Sequence, residues 1–315
     1  MNLLLAGDFD DAERAEWAAA LRSALPGHRL CLQRGELPDA AIAAAIVANP
    51  PPGSLAGLPR LQLIQSLWAG VDRLLADTSL PPGVPMARMV DPAMNQAMAE
   101  TALWATLALH RGFFVYASHQ REGRWAPHAQ RRADEVPLLV LGYGQMGRAV
   151  AQRLVQQGYP VAAWRRHEAP DPAPLDGVQV HSGAAGLADA LPQAQVLINL
   201  LPLTPDTRAL IDARLLAALP RGAGVVNLAR GAHVIDADLL AALDSGQVGQ
   251  AVLDVFHTEP LPADHPYWRH PRVVVLPHAA AMTDARSAAA VVARNIEALA
   301  AGAPLANLVA RDAGY

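Results

Sequence analysis

Three short motifs each place polar side chains just past an apolar run: Val226-Asn-Leu-Ala-Arg230-Gly231, Leu253-Asp254-Val-Phe-His-Thr-Glu259-Pro260-Leu261 and Val275-Leu-Pro277-His278-Ala-Ala280. An arginine, a carboxylate and an imidazole are the parts needed to reduce a 2-keto acid. Arg230 suits the anion, because a planar guanidinium can grip a carboxylate at two points and polarise the carbonyl beside it. His278 suits the proton, because an imidazole titrates near neutral pH and can protonate a carbonyl oxygen as it becomes an alkoxide. Glu259 would fix the ring's orientation and stabilise its protonated form. Each residue alone has a plainer reading: a surface arginine, an ordinary Glu-Pro turn, a loop histidine. Their placement after three successive strands joins them, since ligands of open α/β sheets sit beyond the carboxyl ends of the strands. His257, His265 and His270 compete poorly, and their spacing matches no helical ligand pair, so no metal is expected.

The reaction also needs a hydride donor. Leu138-Leu-Val-Leu-Gly142-Tyr-Gly144-Gln145-Met146-Gly147-Arg-Ala-Val places a glycine triad between an apolar run and a helical pattern. Gly142 serves a tight turn, Gly144 lets backbone approach a pyrophosphate, and Gly147 lets the helix pack on the sheet, with the helix N-terminus facing the phosphate charge. The alternative is a glycine-rich turn that binds nothing. About 20 residues past such a triad an NAD site presents an acid to the ribose. Here the run ends Ala163-Trp164-Arg165-Arg166-His167. Two guanidiniums there can pair with a 2′-phosphate, so NADP is expected ahead of NAD, which stays possible. A solvated basic strand end is the other reading, and Glu168 lies nearby. Asp254 could receive the nicotinamide carboxamide or support its loop.

The elements that must position these groups follow from the apolar pattern. Leu3–Ala6, Arg29–Gln33, Ile42–Ala48 and Leu61–Ser66 read as strands of one α/β unit, with a helix near Asp11–Leu25. Pro92–Arg121 reads as one long helix and a connector. A second series follows at 138–141, 161–164, 178–181, 196–200, 224–228, 251–255 and 273–276, six or seven parallel strands of a doubly wound sheet. Ser287–Ala301 reads as a helix stopped by Gly302 and returning to the first domain. The fold class is therefore α/β, with two Rossmann-like doubly wound parallel-sheet domains and an active-site cleft between them.

Composition removes competing chemistries. All 25 basic residues of the 315 are arginine, so no Schiff-base lysine, phosphate-loop lysine or lysine-assisted tyrosine is available. A net charge of −4 without a basic run gives no footprint for nucleic acid or an anionic membrane, and neither partner is expected. Cys31 is the single cysteine, which rules out an intramolecular disulfide and fits the cytoplasm. The opening residues lack the pattern of a signal peptide, and no apolar run is long enough to span a bilayer.

Taken together these residues resemble the D-isomer-specific 2-hydroxyacid dehydrogenase family, most closely its glyoxylate/hydroxypyruvate reductase branch. The resemblance runs through the whole chain. It is carried by Ala69-Gly70-Val71-Asp72, Ala99-Glu100, the 142–147 loop, Ile198-Asn-Leu-Leu-Pro-Leu-Thr-Pro-Asp-Thr207, Asn227–Gly231, Leu253–Phe256, Glu259–Pro262 and Pro277-His278. It implies an arginine–glutamate–histidine set at Arg230, Glu259 and His278, with His278 the proton donor in reduction. It implies a flavodoxin-like substrate domain of residues 1–98 plus 285–315, an NAD(P)-binding Rossmann domain of 99–284, and a homodimer. Backbone N–H groups around Ala69, Gly70 and Val71 would bind the substrate carboxylate, and Leu201-Pro202 would line the adenine side of the cofactor. The implied reactions are NADPH-dependent reduction of glyoxylate to glycolate and of hydroxypyruvate to D-glycerate. Another short 2-keto acid, or a cofactor-sensing protein that has lost catalysis, is the alternative. One departure is Trp68, where many members carry a small residue; it either lines a restricted substrate pocket or packs away as core.

Overall fold

Apolar runs of a few residues become parallel strands buried on both faces, which explains why they read as continuous rather than alternating. The computed structural model describes residues 1–168, 174–312 and 314. The chain divides into two units, Met1–Met94 with Thr283–Tyr315, and Asn95–Met282. The first division, Met94/Asn95, falls inside a helix over Pro92–His110, and the second falls at Met282/Thr283.

In the first unit β1 (Asn2–Gly7), β2 (Arg29–Cys31), β3 (Ala44–Ala48), β4 (Leu63–Ser66) and β5 (Met86–Ala87) form a parallel sheet in the order β2-β1-β3-β4-β5. This is the flavodoxin-like order. Strand β5 was not expected: two residues carry no periodicity to read. Helix α1 (Asp11–Ala24) starts at a capping box between Asp10 and Glu13. The short α2 (Asp72–Leu75) follows the loop after β4. The C-terminal helix, Ala285–Ala300, packs on α1 and β4, where Asn295 donates to buried Gln65 at 2.7 Å.

The second unit begins in α3 (Pro92–His110) and α4 (Phe113–Arg121). The expected single helix is broken at Gly112, whose φ of +69° reverses the chain's hand. Then come β6 (Leu138–Leu141), α5 (Gln145–Gln156), β7 (Val161–Arg165), β8 (Val178–Ser182), α6 (Gly183–Ala190), β9 (Val196–Asn199), α7 (Ala213–Ala218), β10 (Ala223–Asn227), α8 (Asp236–Asp244), β11 (Val248–Leu253) and β12 (Val273–Val275). The seven strands are parallel in the order β12-β11-β10-β9-β6-β7-β8, with the chain reversing direction between β6 and β9. Leu139, Leu141, Leu197, Val225 and Leu253 fill one core; Leu138, Val140, Ile198, Val226 and Val252 fill the other. The two-residue repeat thus sends alternate side chains to opposite apolar layers, as a doubly wound sheet requires.

Candidate active site

The loop after β6 lies at the reversal point of the second sheet, where dinucleotides bind in open α/β sheets. Two close approaches shape it. A Cβ on Gly142 would stand 2.8 Å from the carbonyl oxygen of Leu200, and one on Gly147 would stand 1.8 Å from that of Gly142. Only glycine fits either place. Gly144 differs, because a Cβ there meets nothing within 4 Å. It is also the N-cap of α5, and no side chain caps that helix. The first-turn N–H groups, Gln145 and Met146 among them, therefore keep their donor capacity beside open space, which fits a pyrophosphate. The buried face of α5, Gly147, Val150, Ala151 and Leu154, holds the helix on the sheet.

Arg165 ends β7 beside this loop, where Gly142 N donates to Trp164 O at 2.8 Å. Arg166 has a protein partner already: its Nη1 lies 2.6 Å from Asp206 Oδ2 and 3.2 Å from Thr204 Oγ1. Asp206 is largely exposed, so this pair is screened by water and offers a second anion little competition. Leu201 is buried and Pro202 exposed in the loop that follows β9. Thr207 Oγ1 donates to Pro202 O at 2.7 Å and thereby closes that loop.

The three polar motifs follow adjacent strands, β10, β11 and β12. His278 Nδ1 lies 2.7 Å from Glu259 Oε2, while Phe256 N donates to Glu259 Oε1 at 2.9 Å. The carboxylate is thus aimed from behind by its own loop. Because a carboxylate only accepts, Nδ1 carries the hydrogen in this pair, and Nε2 is the nitrogen left to give or take a proton. His278 has φ +54°, a left-handed conformation that costs a residue bearing a Cβ on the order of 1–2 kcal/mol. What holds it there is Asp254. His278 N donates to Asp254 O at 2.8 Å, and the Asp254 carboxylate accepts from Ala279 N at 2.7 Å and Ala280 N at 3.1 Å. Burial pushes the Asp254 carboxyl above the ordinary aspartate range, against the pull of those two N–H groups. These bonds make Asp254 a support for the His278 loop.

Arg230 is half-buried at the end of β10, with Nη1 donating to Ala229 O at 2.7 Å. Its turn is pressed against the Glu259 loop: a Cβ on Gly231 would lie 2.0 Å from Phe256 C and 2.4 Å from His257 N. His257 Nε2 reinforces the contact by donating to Val234 O at 2.8 Å.

Sequence reasoning passed over the residues that tie these loops together. Asn199 and Asn227 are register partners at the ends of β9 and β10. Asn199 Nδ2 donates to Asn227 Oδ1 at 3.0 Å, Asn227 Nδ2 donates to Arg230 O at 3.0 Å, and Leu201 N donates to Asn199 Oδ1 at 3.2 Å. Buried His233 sets its ring nitrogens 3.1 and 3.3 Å from the carbonyl oxygens of Arg230 and Pro202. The cofactor-side loop and the Arg230 turn therefore share one buried polar clamp. An asparagine closing two apolar runs at the same register was the available signal.

In the first unit, the Trp68–Val71 loop leaves β4 on a tight polar turn. Trp68 N donates to Ser66 Oγ at 3.0 Å, and Ser66 Oγ donates to Trp68 O at 3.0 Å. Trp68, Ala69 and Gly70 are partly buried and Val71 is core. The Trp68 ring stands edge-on to Trp17, with centroids 6.1 Å apart, so α1 fixes its orientation.

These features agree with what the chain resembles among known proteins. The NAD-binding domain of the D-isomer specific 2-hydroxyacid dehydrogenases matches residues 103–280, and the chain belongs to that family. It is an NAD(P)-dependent 2-hydroxyacid dehydrogenase. The glyoxylate/hydroxypyruvate reductase A of Serratia proteamaculans is 42% identical to it over 321 residues, covering 100% of both chains. A D-isomer specific 2-hydroxyacid dehydrogenase of Xanthobacter autotrophicus Py2, solved with NADPH and MES, superposes with a TM-score of 0.93 at 39% identity, covering 100% of this chain and 99% of that one. The NADPH-dependent glyoxylate/hydroxypyruvate reductase of Sinorhizobium meliloti, solved with NADP and sulfate, gives 0.91 at 33% identity with the same coverage.

Proposed function

We propose that this protein reduces glyoxylate to glycolate and hydroxypyruvate to D-glycerate with NADPH. The observation that carries the reading is the 2.7 Å Glu259–His278 pair, which leaves Nε2 as the proton-transferring atom. The named reductase at 42% identity over the full chain supports the substrate class. Bound reduced nicotinamide supplies the hydride. Arg230 holds and polarises the keto acid, the N–H groups of Ala69, Gly70 and Val71 receive its carboxylate, and Trp68 borders the substrate. His278 Nε2 passes its proton to the carbonyl oxygen as charge builds there, and Glu259 stabilises the imidazolium before transfer. Asp254 holds the His278 loop in its strained form. The N–H groups at Gly144–Gly147 hold the pyrophosphate, Leu201 and Pro202 border the adenine, and Arg165 and Arg166 take the 2′-phosphate.

Initial rates of reduced-cofactor oxidation, with glyoxylate, hydroxypyruvate and pyruvate each tested with NADPH and NADH, are the direct test. Fast turnover of the first two acids with NADPH is the expected result; consumption of no acid with either cofactor would leave only a cofactor-binding role. For the arginines, the R165S/R166S variant should lose about 30-fold in its NADPH-to-NADH ratio of kcat/KM, the scale of one or two charge-assisted bonds. An unchanged ratio would assign both to a solvated strand end.

The same reading includes a cytoplasmic homodimer. Trp104 and Phe113 stand exposed on α3 and α4, with Trp125 beyond them, an apolar surface of the kind partners cover. The buried free thiol of Cys31 suits a reducing compartment. Gel filtration at two protein concentrations should give twice the chain mass at both; a monomer would remove the dimer from the reading.

A further inference from the structure

Arg88 lies one residue past β5, at the carboxyl end of the first unit's sheet. Its backbone runs beside the loop after β4. Gln65 pairs with Ala87 in the register, and Met89 N donates to Trp68 O at 3.1 Å. Met86 packs in the same cluster as Val71 and Leu74, and the two-residue repeat of extended chain carries Arg88 to that side. The side chain is partly buried, yet among the described residues its guanidinium makes no hydrogen bond and no ion pair. Other arginines are matched: Arg34 with Asp39, Arg132 with Asp134, Arg286 with Asp284. Burial without an opposing charge pulls the Arg88 guanidinium below the ordinary arginine range. Holding a cation in that state costs the fold free energy, and such costs collect where a ligand supplies the missing partner.

We propose that Arg88 reads the third carbon of the substrate, hydrogen-bonding an oxygen on C3, so that the protein selects 2-keto acids bearing a C3 hydroxyl or carboxylate over those with a methyl. The proposal rests on the reductase reading above, in which Ala69–Val71 holds the C1 carboxylate. Neighbouring strands are separated by about 4.8 Å, so the loop after β4 and the residue after β5 are offset by roughly the reach of a three-carbon acid. A carboxylate gains more from a guanidinium than a hydroxyl does, because the bond is charge-assisted on both sides.

The test compares kcat/KM for pyruvate, hydroxypyruvate and ketomalonate in the full-length protein, R88Q and R88K. In R88Q the hydroxypyruvate-to-pyruvate ratio should fall about tenfold and the ketomalonate-to-pyruvate ratio about 100-fold, the scale of one lost neutral or ionic hydrogen bond. R88K should recover part of the ketomalonate ratio, as a point charge without the fork. Ratios preserved in R88Q overturn the proposal, whatever happens to the overall rate. The thermal midpoint of R88Q should be equal to or above that of the parent, since an uncompensated charge is removed; a lower midpoint with preserved ratios makes Arg88 structural. Inactivity of the parent on every acid would defeat the reductase reading instead. Calorimetry then still decides Arg88: tartronate should bind at least about tenfold more weakly to R88Q relative to glycolate, and an unchanged relative affinity overturns the assignment.

Discussion

His278→Gln is expected to lower kcat by about 1,000-fold, within the range general acid catalysis supplies, while NADPH affinity stays within about a factor of two. Glutamine can keep a hydrogen bond to Glu259 but has no proton to give at the Nε2 position. Both residues carry a Cβ into φ +54° and lack a branch there, so the substitution changes the chemistry more than the loop. Asp254 anchors that loop through N–H groups of Ala279 and Ala280, which the substitution leaves in place. Glu259→Gln should fall less, because an amide oxygen still accepts from Nδ1 but leaves the imidazolium without its counter-charge. Stopped-flow turnover and fluorescence titration of NADPH separate the two effects. Full turnover in His278→Gln would remove this residue as the acid and send the search to another proton source.

What the sequence disclosed was whatever expresses itself in a local pattern. The strands were legible because both faces are buried, as at Leu138–Leu141 and Val196–Asn199, and the glycine loop because Gly142 and Gly147 answer to close approaches while Gly144 opens the helix N-terminus. Strand β5 escaped because a two-residue strand has no period, and the break between α3 and α4 because one glycine in a helical pattern is tolerated more often than not. The Arg230, Glu259 and His278 motifs could be lined up from their strand ends, but the couplings between them could not. Arg166 reads as a ligand for phosphate, but that Asp206 shares it from a separate loop shows only in the fold. Asn199, Asn227 and His233 are buried polar residues whose bonds join separate loops, Asn199 Nδ2 to Asn227 Oδ1 and His233 to Pro202 O, a link that only the matched register of the two asparagines hinted at. Arg88 is a lone arginine in sequence; only the folded chain leaves it partly buried with no counter-ion among the described residues.

Gly231→Ala is expected to cut kcat/KM by about 100-fold and to destabilise the protein by roughly 1–3 kcal/mol. The new methyl would lie 2.0 Å from Phe256 C and 2.4 Å from His257 N, and both are backbone atoms that no rotamer change can move aside. Relief requires the Arg230 turn and the 256–259 segment to separate. Glu259 must travel with that segment, because its Oε1 is bonded to Phe256 N, and the other oxygen then pulls away from His278 Nδ1. One methyl therefore displaces the anion-binding arginine and the histidine's partner together, though it touches neither. Gly27→Ala is the matching control, since its Cβ would meet nothing within 4 Å and its backbone is in an ordinary region. It should leave both the thermal midpoint and the rate near those of the parent. If Gly231→Ala unfolds at a lower temperature yet turns over normally, the close approach serves stability alone; loss of rate with the midpoint lowered only slightly assigns it to keeping Arg230 and Glu259 in register.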